Sequence, residues 1–548
     1  MAHALAGKPV QEQDIIDVQT IVDAYFDNVP DMTNPTQLVS FGTSGHRGTS
    51  VDGTFTDLHV AAITQAICDG RKQFGATGPI FVGQDTHALS QPALVTVLEV
   101  LAGNGVTAMV DCDMDFVPTP SVSRAIIRYN EEHDDKADGI IITPSHNPPD
   151  NGGIKYNTII GGPADTVVTK WIEMRANEYL TAYCESEDFK RISIDNIEPT
   201  AQVPYDYKGL YVEELGDVIN MEAIKEAGPK VLVDTLGGSG ASYWNAIKER
   251  YGLDLTIIHD DYDPTFSFMT YDHDGKVRMD CSSPHVMASV INRIGDFDLA
   301  VGNDPDYDRY GIVVSSGLIS ANTFLTLAAR YLFTTRGWKD KGIGKTVVCT
   351  TMIDKLAASA EIPVFEVPVG FKYFSQLLFD GAIGIGGEES AGASFLKKDG
   401  TVWTTDKDGM IMALLSMEIM AVMGKSALKM ADEFVEEFGN PSFGRIDAPC
   451  KKEQKQILKQ MSAELITATS VDEDPITNIR TTSLYNDMPI DGVRVETDKG
   501  WFVARPSGTE DLYKIYGESY KGDLGLVALL TAGEEIVNAA LNGTIEIE

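Results

Sequence analysis

The stretch "GPIFVGQDTHALSQPALVTVLEVLAGNGVTAMVDC", residues 78–112, decides the fold class. "GPIFVGQD" (78–85) is an apolar run opened by Gly-Pro, and it reads as a strand. "PALVTVLEVLAGNG" (92–105) carries apolar residues at helical spacing and stops at glycine. "VTAMVDC" (106–112) is a second strand. Strand, helix and strand in such short succession predict a parallel sheet with helices on its faces.

Working outward, "PSVSRAIIRYN" reads as helix and "GIIIT" as strand. The alternation resumes at "KVLVDTLGGSGASYWNAI" (230–247), "LDLTIIHDD" and "FDLAVGNDPDYD". A third round runs through the helix "TFLTLAARYLF", a strand "TVVCTTM", "VFEVPVGFKYF" and "AIGIGGEES". The last hundred or so residues differ, with a polar helix "KKEQKQILKQMSAELI", paired strands "GVRVETD" and "GWFVARPSGTED", and a helical tail at 525–541. Residues 14–26 repeat Ile15, Val18, Val22 and Tyr25 at helical spacing, and the polar stretch 184–208 reads as a linker. The expected division is an N-terminal helical extension (1–37), α/β units at 38–205, 206–320 and 321–441, and a smaller α+β unit at 442–548. No residue-level repeat is visible between the three α/β units.

A chain of 548 residues suits three to five domains at roughly 100–200 residues each. Its 81 acidic and 44 basic residues give a net charge of −37, a field that repels nucleic acid and anionic membranes. An anionic substrate would therefore need a locally basic site. The six cysteines are scattered without a CxxC pair, which predicts free thiols in a reducing compartment. The N-terminus shows no signal-peptide pattern, and the apolar stretch Met410 to Met423 is too short to span a bilayer and reads as a buried helix. The expectation is a soluble cytoplasmic protein with neither a nucleic-acid nor a membrane partner, monomeric or homodimeric.

Several loops carry chemistry. In "GNDPDYDRYG", Asp304, Asp306 and Asp308 alternate after an apolar strand, and an extended chain would put all three carboxylates on one side. Converging carboxylates repel unless a cation joins them, and hard oxygen ligands suit Mg²⁺. An EF-hand is excluded because its sixth position is Arg309 and its twelfth Ser315. "GGEESAGAS" (386–394) offers Glu388, Glu389 and Ser390 either to sugar hydroxyls or as helix-capping turn residues. "RPSGTED" (505–511) offers the Arg505 fork, the Ser507 and Thr509 hydroxyls and the open backbone of Gly508 to a phosphate, or forms a plain turn. "FGTSGHRG" (41–48) ends in Arg47, and Lys372 lies in the apolar run "VPVGFKYF". "GIGKT" (342–346) is no P-loop, since Lys339 stands where the first glycine belongs.

"IIITPSHNPP" (140–149) presents Ser145 at a strand end among three prolines. It is not a G-x-S-x-G elbow, and the adjacent His146 is not expected to reach the serine oxygen. Lys155 follows a glycine pair in "NGGIKYN" and can turn back towards the serine.

Together, "TPSHNPPDNGGIKYN" (143–157), "DPDYDR" (304–309), "GEESAG" (387–392) and "RPSGTED" (505–511), with "FGTSGHRG" at the front, resemble the α-D-phosphohexomutase superfamily. The resemblance runs from about residue 38 to 540, and within the superfamily it is nearest the bacterial branch specific for α-D-glucose phosphates. It implies three similar mixed-sheet α/β domains plus a smaller C-terminal α+β domain around a central cleft. It further implies interconversion of glucose 1-phosphate and glucose 6-phosphate through a phosphoserine at Ser145 and a glucose 1,6-bisphosphate intermediate. Asp304, Asp306 and Asp308 then match Mg²⁺ ligands, with the Ser145 phosphate as an outside ligand. Lys155 matches a general acid/base, and His146, Arg47 and Arg309 match residues of the reaction centre. Glu388 and Ser390 match the sugar loop, while Lys372, Arg505, Ser507, Gly508 and Thr509 match groups that bind substrate. A phosphomannomutase or dual-specificity enzyme, and a metal-dependent phosphatase, are the alternative readings.

Overall fold

A computed structural model describes residues 3–42, 45–184, 189–425, 427–507 and 512–542. Four sheets organise them. The first has the spatial order His46–Thr49, Asn151–Asn157, Asp138–Ile142, Ile80–Gln84, Ala108–Asp111, Gln202–Tyr205. The second runs Gly317–Leu318, Tyr310–Val314, Leu299–Asn303, Val231–Asp234, Leu255–Ile258. The third runs Val364–Val367, Gly342–Thr346, Ile383–Gly387, Ala393–Phe395. The fourth, beginning with Ser442–Pro449 and Leu512–Ser519, is antiparallel throughout.

The first three sheets share one plan. In each, a central strand pairs in parallel with an earlier strand and then folds back as an antiparallel hairpin: Asp138–Ile142 into Asn151–Asn157, Leu299–Asn303 into Tyr310–Val314, Ile383–Gly387 into Ala393–Phe395. The sheets are therefore mixed. All five residues of each of these three leading strands are buried, as expected where helices cover both faces. The three hairpin tips are the sequence's motif loops, and the tip between Gly500–Pro506 and Leu512–Ser519 holds the fourth.

The helix Gly409–Met423 is buried all round through Ile419, which suits a helix apolar on every side. Its one acid, Glu418, is fully buried and satisfied by Arg336 at 2.6 Å, the Tyr331 hydroxyl at 2.7 Å and the Asn220 N–H at 2.7 Å. Asp408 caps its start and accepts bonds from Tyr211 and Trp403, tying the second unit to the third. Burial pushes the Asp408 carboxyl up to about 6. The tail helix, Gly522–Leu541, is long and apolar enough to cross a membrane by length and composition. It lays Leu529, Gly533, Val537 and Ala540 inward and packs on the fourth sheet.

Four local expectations change. The third sheet uses Gly342–Thr346 as its strand, not "TVVCTTM". Val347 and Val348 are buried instead against Ile490, Trp501 and Val503 of the fourth unit, so their apolarity serves a contact between units. The stretch read as a linker is partly structured: Arg191 pairs with Asp57 and Glu99, and Gln202–Tyr205 adds an edge strand to the first sheet. The N-terminal helix begins at Val18 because Asp17 caps it, which leaves Ile15 outside; its buried contacts are Ile21 and Tyr25. The polar helix stops at Lys459, followed by a short turn of 3-10 helix at Ala463–Leu465. Ahead of the first unit, residues 3–10 lie along the second unit's segment 269–273, with Val10 N–H donating to Met269 O at 3.0 Å and Tyr271 N–H to Lys8 O at 3.0 Å.

Candidate active site

Ser145 sits at the tip of the first hairpin, 1% exposed, with φ at 61°. That left-handed backbone is uncommon for a residue with a side chain. It is held from below, since the Ser145 N–H donates to Thr143 Oγ1 at 2.7 Å. The bend also brings the His146 Nδ1 to 3.2 Å from Ser145 Oγ, where sequence adjacency had argued against such contact. Burial, then the charge of Arg309, outweigh Asp280 and hold His146 well below the ordinary histidine range.

Ser145 Oγ donates to Asp304 Oδ2 at 2.8 Å across the first and second units. The three aspartates do converge, but not by strand alternation. Residues 304–309 form a turn with Tyr307 at φ 62°, and Tyr307 O accepts from Gly409 N–H at 2.9 Å. Gly409 has to be glycine here, because a Cβ would run into the Arg309 carbonyl. All three carboxylates are at most 1% exposed, and one oxygen of each lies within 4.8 Å of the others. Asp306 Oδ1 and Asp308 Oδ1 are buried without hydrogen-bond partners among the described residues. Three converging buried carboxylates, two of them with an orphaned hard oxygen, fit a divalent cation such as Mg²⁺. Burial, then Asp306 and Asp308, drive the Asp304 carboxyl well above its usual range.

Cations of the chain surround this group. Lys155 lies on the return strand, paired opposite Ile141, so strand register rather than a flexible loop aims it. Its Nζ reaches Asp306 Oδ2 at 2.6 Å and Asp308 Oδ2 at 3.1 Å. Burial pulls the Lys155 ammonium down, but Asp306, Asp308 and Asp406 outweigh it and hold the group above its ordinary value. Arg309 donates to Asp280 Oδ2 at 3.2 Å, and Arg47 to Asn147 Oδ1 at 3.3 Å. Arg47 is aimed by its strand, which pairs with the Lys155 strand.

The third tip meets the second directly. Arg309 and Gly392 form an antiparallel bridge, and Tyr310 N–H donates to Ala391 O at 3.1 Å. Glu388 closes its own tip, its N–H donating to Gly392 O at 2.8 Å, and its Oε1 accepts from Gly370 N–H at 3.1 Å. Burial pushes its carboxyl up to about 7. Ser390 is half-buried beside it.

Lys372 Nζ donates to Thr166 Oγ1 at 2.8 Å. Arg505 Nε is buried without a hydrogen-bond partner among the described residues, and the charge of Arg505 is felt at the hydroxyl of Tyr373, next to Lys372. Ser507 is buried, its N–H donating to Leu512 O at 2.7 Å. Gly508 and Thr509 lie outside the described residues, as do Thr43 and Ser44 of the first loop.

Residues 38–182, 210–317, 320–438 and 447–524 match in turn the alpha/beta/alpha domains I, II and III and the C-terminal domain of phosphoglucomutase/phosphomannomutase. The chain is 46% identical over 539 residues to a phosphoglucomutase of Komagataeibacter xylinus, covering 97% of each. The chain belongs to the phosphoglucomutase/phosphomannomutase family. Phosphoglucomutase 1 of Saccharomyces cerevisiae is a more distant relative of this family member, 26% identical with 88% of each chain covered. The fold also matches a putative phosphomannomutase of Thermus thermophilus, with a TM-score of 0.71 at 23% identity, covering 91% of this chain and 99% of that one.

In the family's division, Ser145 falls in domain I, the aspartates in domain II, Glu388 in domain III and Arg505 in the C-terminal domain. Sequence reasoning missed two members of the centre. Lys407 Nζ lies 2.9 Å from Asp308 Oδ2, and its stem passes where a Cβ on Gly392 would be. Asp280 anchors Arg309 and is held below the usual carboxylate range: burial pushes it up, but Arg309 and the Ser282 bonds outweigh that. "TTDKDG" and "RMDCSS" hold no pattern that marks them, and only the turn at Gly409 hints at a crowded backbone near the first.

Proposed function

We propose that the chain is a phosphoglucomutase that interconverts α-D-glucose 1-phosphate and glucose 6-phosphate, with Ser145 as phosphoryl carrier and glucose 1,6-bisphosphate as the intermediate. The observation that carries this reading is Ser145 Oγ, buried and bonded to Asp304 at 2.8 Å at the meeting point of domains I and II. Phosphoryl transfer needs positioning and charge neutralisation more than covalent chemistry, and those are what the surrounding groups supply.

In this reading the O6 hydroxyl of glucose 1-phosphate attacks the phosphorus of phosphoserine 145. The bond to Ser145 Oγ breaks, and the hydroxyl proton leaves to a base. The bisphosphate then turns over, its 1-phosphoryl passes to Ser145 Oγ, and glucose 6-phosphate departs. Asp304, Asp306 and Asp308 would hold Mg²⁺, which supplies charge neutralisation at a transferring phosphoryl group when bound. Lys155, buried with its Nζ against Asp306 and Asp308, is the candidate general acid/base. Arg309, Arg47 and Lys407 supply fixed positive charge, and His146 Nδ1 lies beside Ser145 Oγ at 3.2 Å.

Glu388 and Ser390 are assigned to the sugar hydroxyls. Lys372, Arg505, Ser507, Gly508 and Thr509 are assigned to the phosphate that is not reacting. The charge of Arg505 reaching the Tyr373 hydroxyl, next to Lys372, supports this, because a bisphosphate that turns over needs a second basic site.

A coupled assay from glucose 1-phosphate to glucose 6-phosphate, with mannose 1-phosphate in parallel, tests the proposal. Release of free phosphate alone would identify a phosphatase, and equal rates on both sugars a dual-specificity enzyme. Retention of mutase activity by Ser145→Ala would remove the phosphoserine.

A further inference from the structure

Beneath the Ser145 tip lies a buried ion pair that no step of the proposed reaction uses. Asp85 and His87 follow the strand Ile80–Gln84, the parallel neighbour of the strand leading to Ser145, and both are fully buried. Asp85 Oδ1 accepts from the His87 N–H at 3.0 Å and the Ser90 hydroxyl at 2.6 Å. Asp85 Oδ2 lies 2.9 Å from His87 Nδ1 and accepts from the Thr143 hydroxyl at 2.6 Å. Three donors, the His87 N–H and the hydroxyls of Ser90 and Thr143, converge on the carboxylate before His87 Nδ1 is counted, which suits an ionised acceptor. Burial pushes its pKa up, but His87 and the hydroxyl donors outweigh that and hold it below the usual range.

The other ring nitrogen, His87 Nε2, lies 3.0 Å from the Asn147 carbonyl oxygen, which can only accept. A neutral imidazole has one donor and one acceptor nitrogen. Here both nitrogens face acceptors, so both carry hydrogen. The Phe266 ring, from domain II, covers the imidazole at a centroid distance of 5.0 Å.

We propose that His87 is a buried imidazolium and the positioning residue of the Ser145 loop. The loop hangs from the Asp85–His87 pair at both ends. Thr143 is tied to Asp85 and in turn receives the Ser145 N–H, and Asn147 is tied to His87. Ser145, between these two pins, is kept in its left-handed backbone with Oγ directed at Asp304. His87 acts through Thr143 and Asn147 and is not a catalytic residue.

The protonation half of this inference stands on geometry alone; the kinetic half rests on the phosphoserine reading. The full-length protein, labelled with ¹⁵N in its histidine rings, tests the first half. The His87 signal, identified by its loss in His87→Gln, should show two protonated nitrogens at pH 8. A single unprotonated nitrogen overturns the proposal, and His87→Asn supplies the missing signal if His87→Gln does not fold. For the second half, a glutamine amide can replace only part of the double donation. Folded His87→Gln should lose about tenfold to hundredfold in kcat, the scale of a misplaced reacting group, while KM for glucose 1-phosphate stays within about threefold. An unchanged kcat, or a KM that rises as far as kcat falls, overturns the positioning role. Mutase activity in Ser145→Ala would instead sink the phosphoserine reading and leave the ¹⁵N result standing.

Discussion

Lys407 of domain III and Asp308 of domain II are joined by an ion pair of 2.9 Å, with Asp308 fully buried. Lys155 of domain I reaches the same oxygen at 3.1 Å. One carboxylate oxygen thus gathers cations from both flanking domains. Burial pushes Asp308 up, but Lys155, Lys407 and Arg309 outweigh that and hold it well below the usual carboxylate range.

Lys407→Met keeps the stem over Gly392 and removes the charge. Because a preorganised donor in a buried site is worth about 10²-fold or more, kcat/KM should fall by about that factor. The coupled assay measures the loss, and a melting temperature close to wild type shows that the fold is intact.

Asp280→Asn preserves shape while removing the charge that fixes Arg309 at 3.2 Å. The expected result is a kcat about tenfold lower, because a charge-assisted bond that orients the guanidinium is lost. Mass spectrometry of Ser145 phosphorylation after mixing with glucose 1,6-bisphosphate should show the same slowing.

Chelation tests the aspartate cluster. Activity should vanish with EDTA and return with Mg²⁺, and Asp308→Asn should need a higher Mg²⁺ concentration for half-maximal rate. Full activity after exhaustive dialysis against EDTA would separate the cluster from metal binding.

Glu388 gives a pH signature. Its carboxyl lies at about 7 in the folded chain against an ordinary 4.5. The folded state therefore holds this proton more tightly than the unfolded one. The stability tied to it is present below about pH 4.5 and is lost as pH rises through about 7. Glu388→Gln lacks this loss, so its melting temperature should gain on wild type between pH 5 and 8. Parallel melting curves across that window would refute the assignment.

Glu366 and Arg480 form a buried pair at 2.7 Å between domain III and the C-terminal domain. Glu366→Ala leaves the guanidinium with Glu496 at 3.3 Å as its remaining carboxylate and should cost about 1–3 kcal/mol, read from urea unfolding.

Much of this was legible in the chain because loops and strands announce themselves locally. The four motif loops, the βαβ order and the buried helix at 410–423 follow from short-range patterns. Tertiary facts did not. The left-handed turn at Tyr307 converts an alternating triplet into a cluster, and nothing in "DPDYD" distinguishes it from an extended edge. Val347 and Val348 mimic a strand because a contact between units and a sheet core demand the same apolar residues. His146 reaches the serine oxygen only because Ser145 is bent. Lys407 and Asp280 gain their meaning from partners far away in sequence, so no window around either one reveals it.

The strand order common to the first three sheets has a further consequence for how such a site can change over time. Each leading hairpin has its ladder buried beneath it, so its tip can be lengthened, shortened or rewritten while the sheet stays intact. The serine, the aspartates and Glu388 occupy the same address in three repeats of one architecture. New sugar preferences would then be sought by exchanging the tip at 388–392 alone, with the other two tips left untouched.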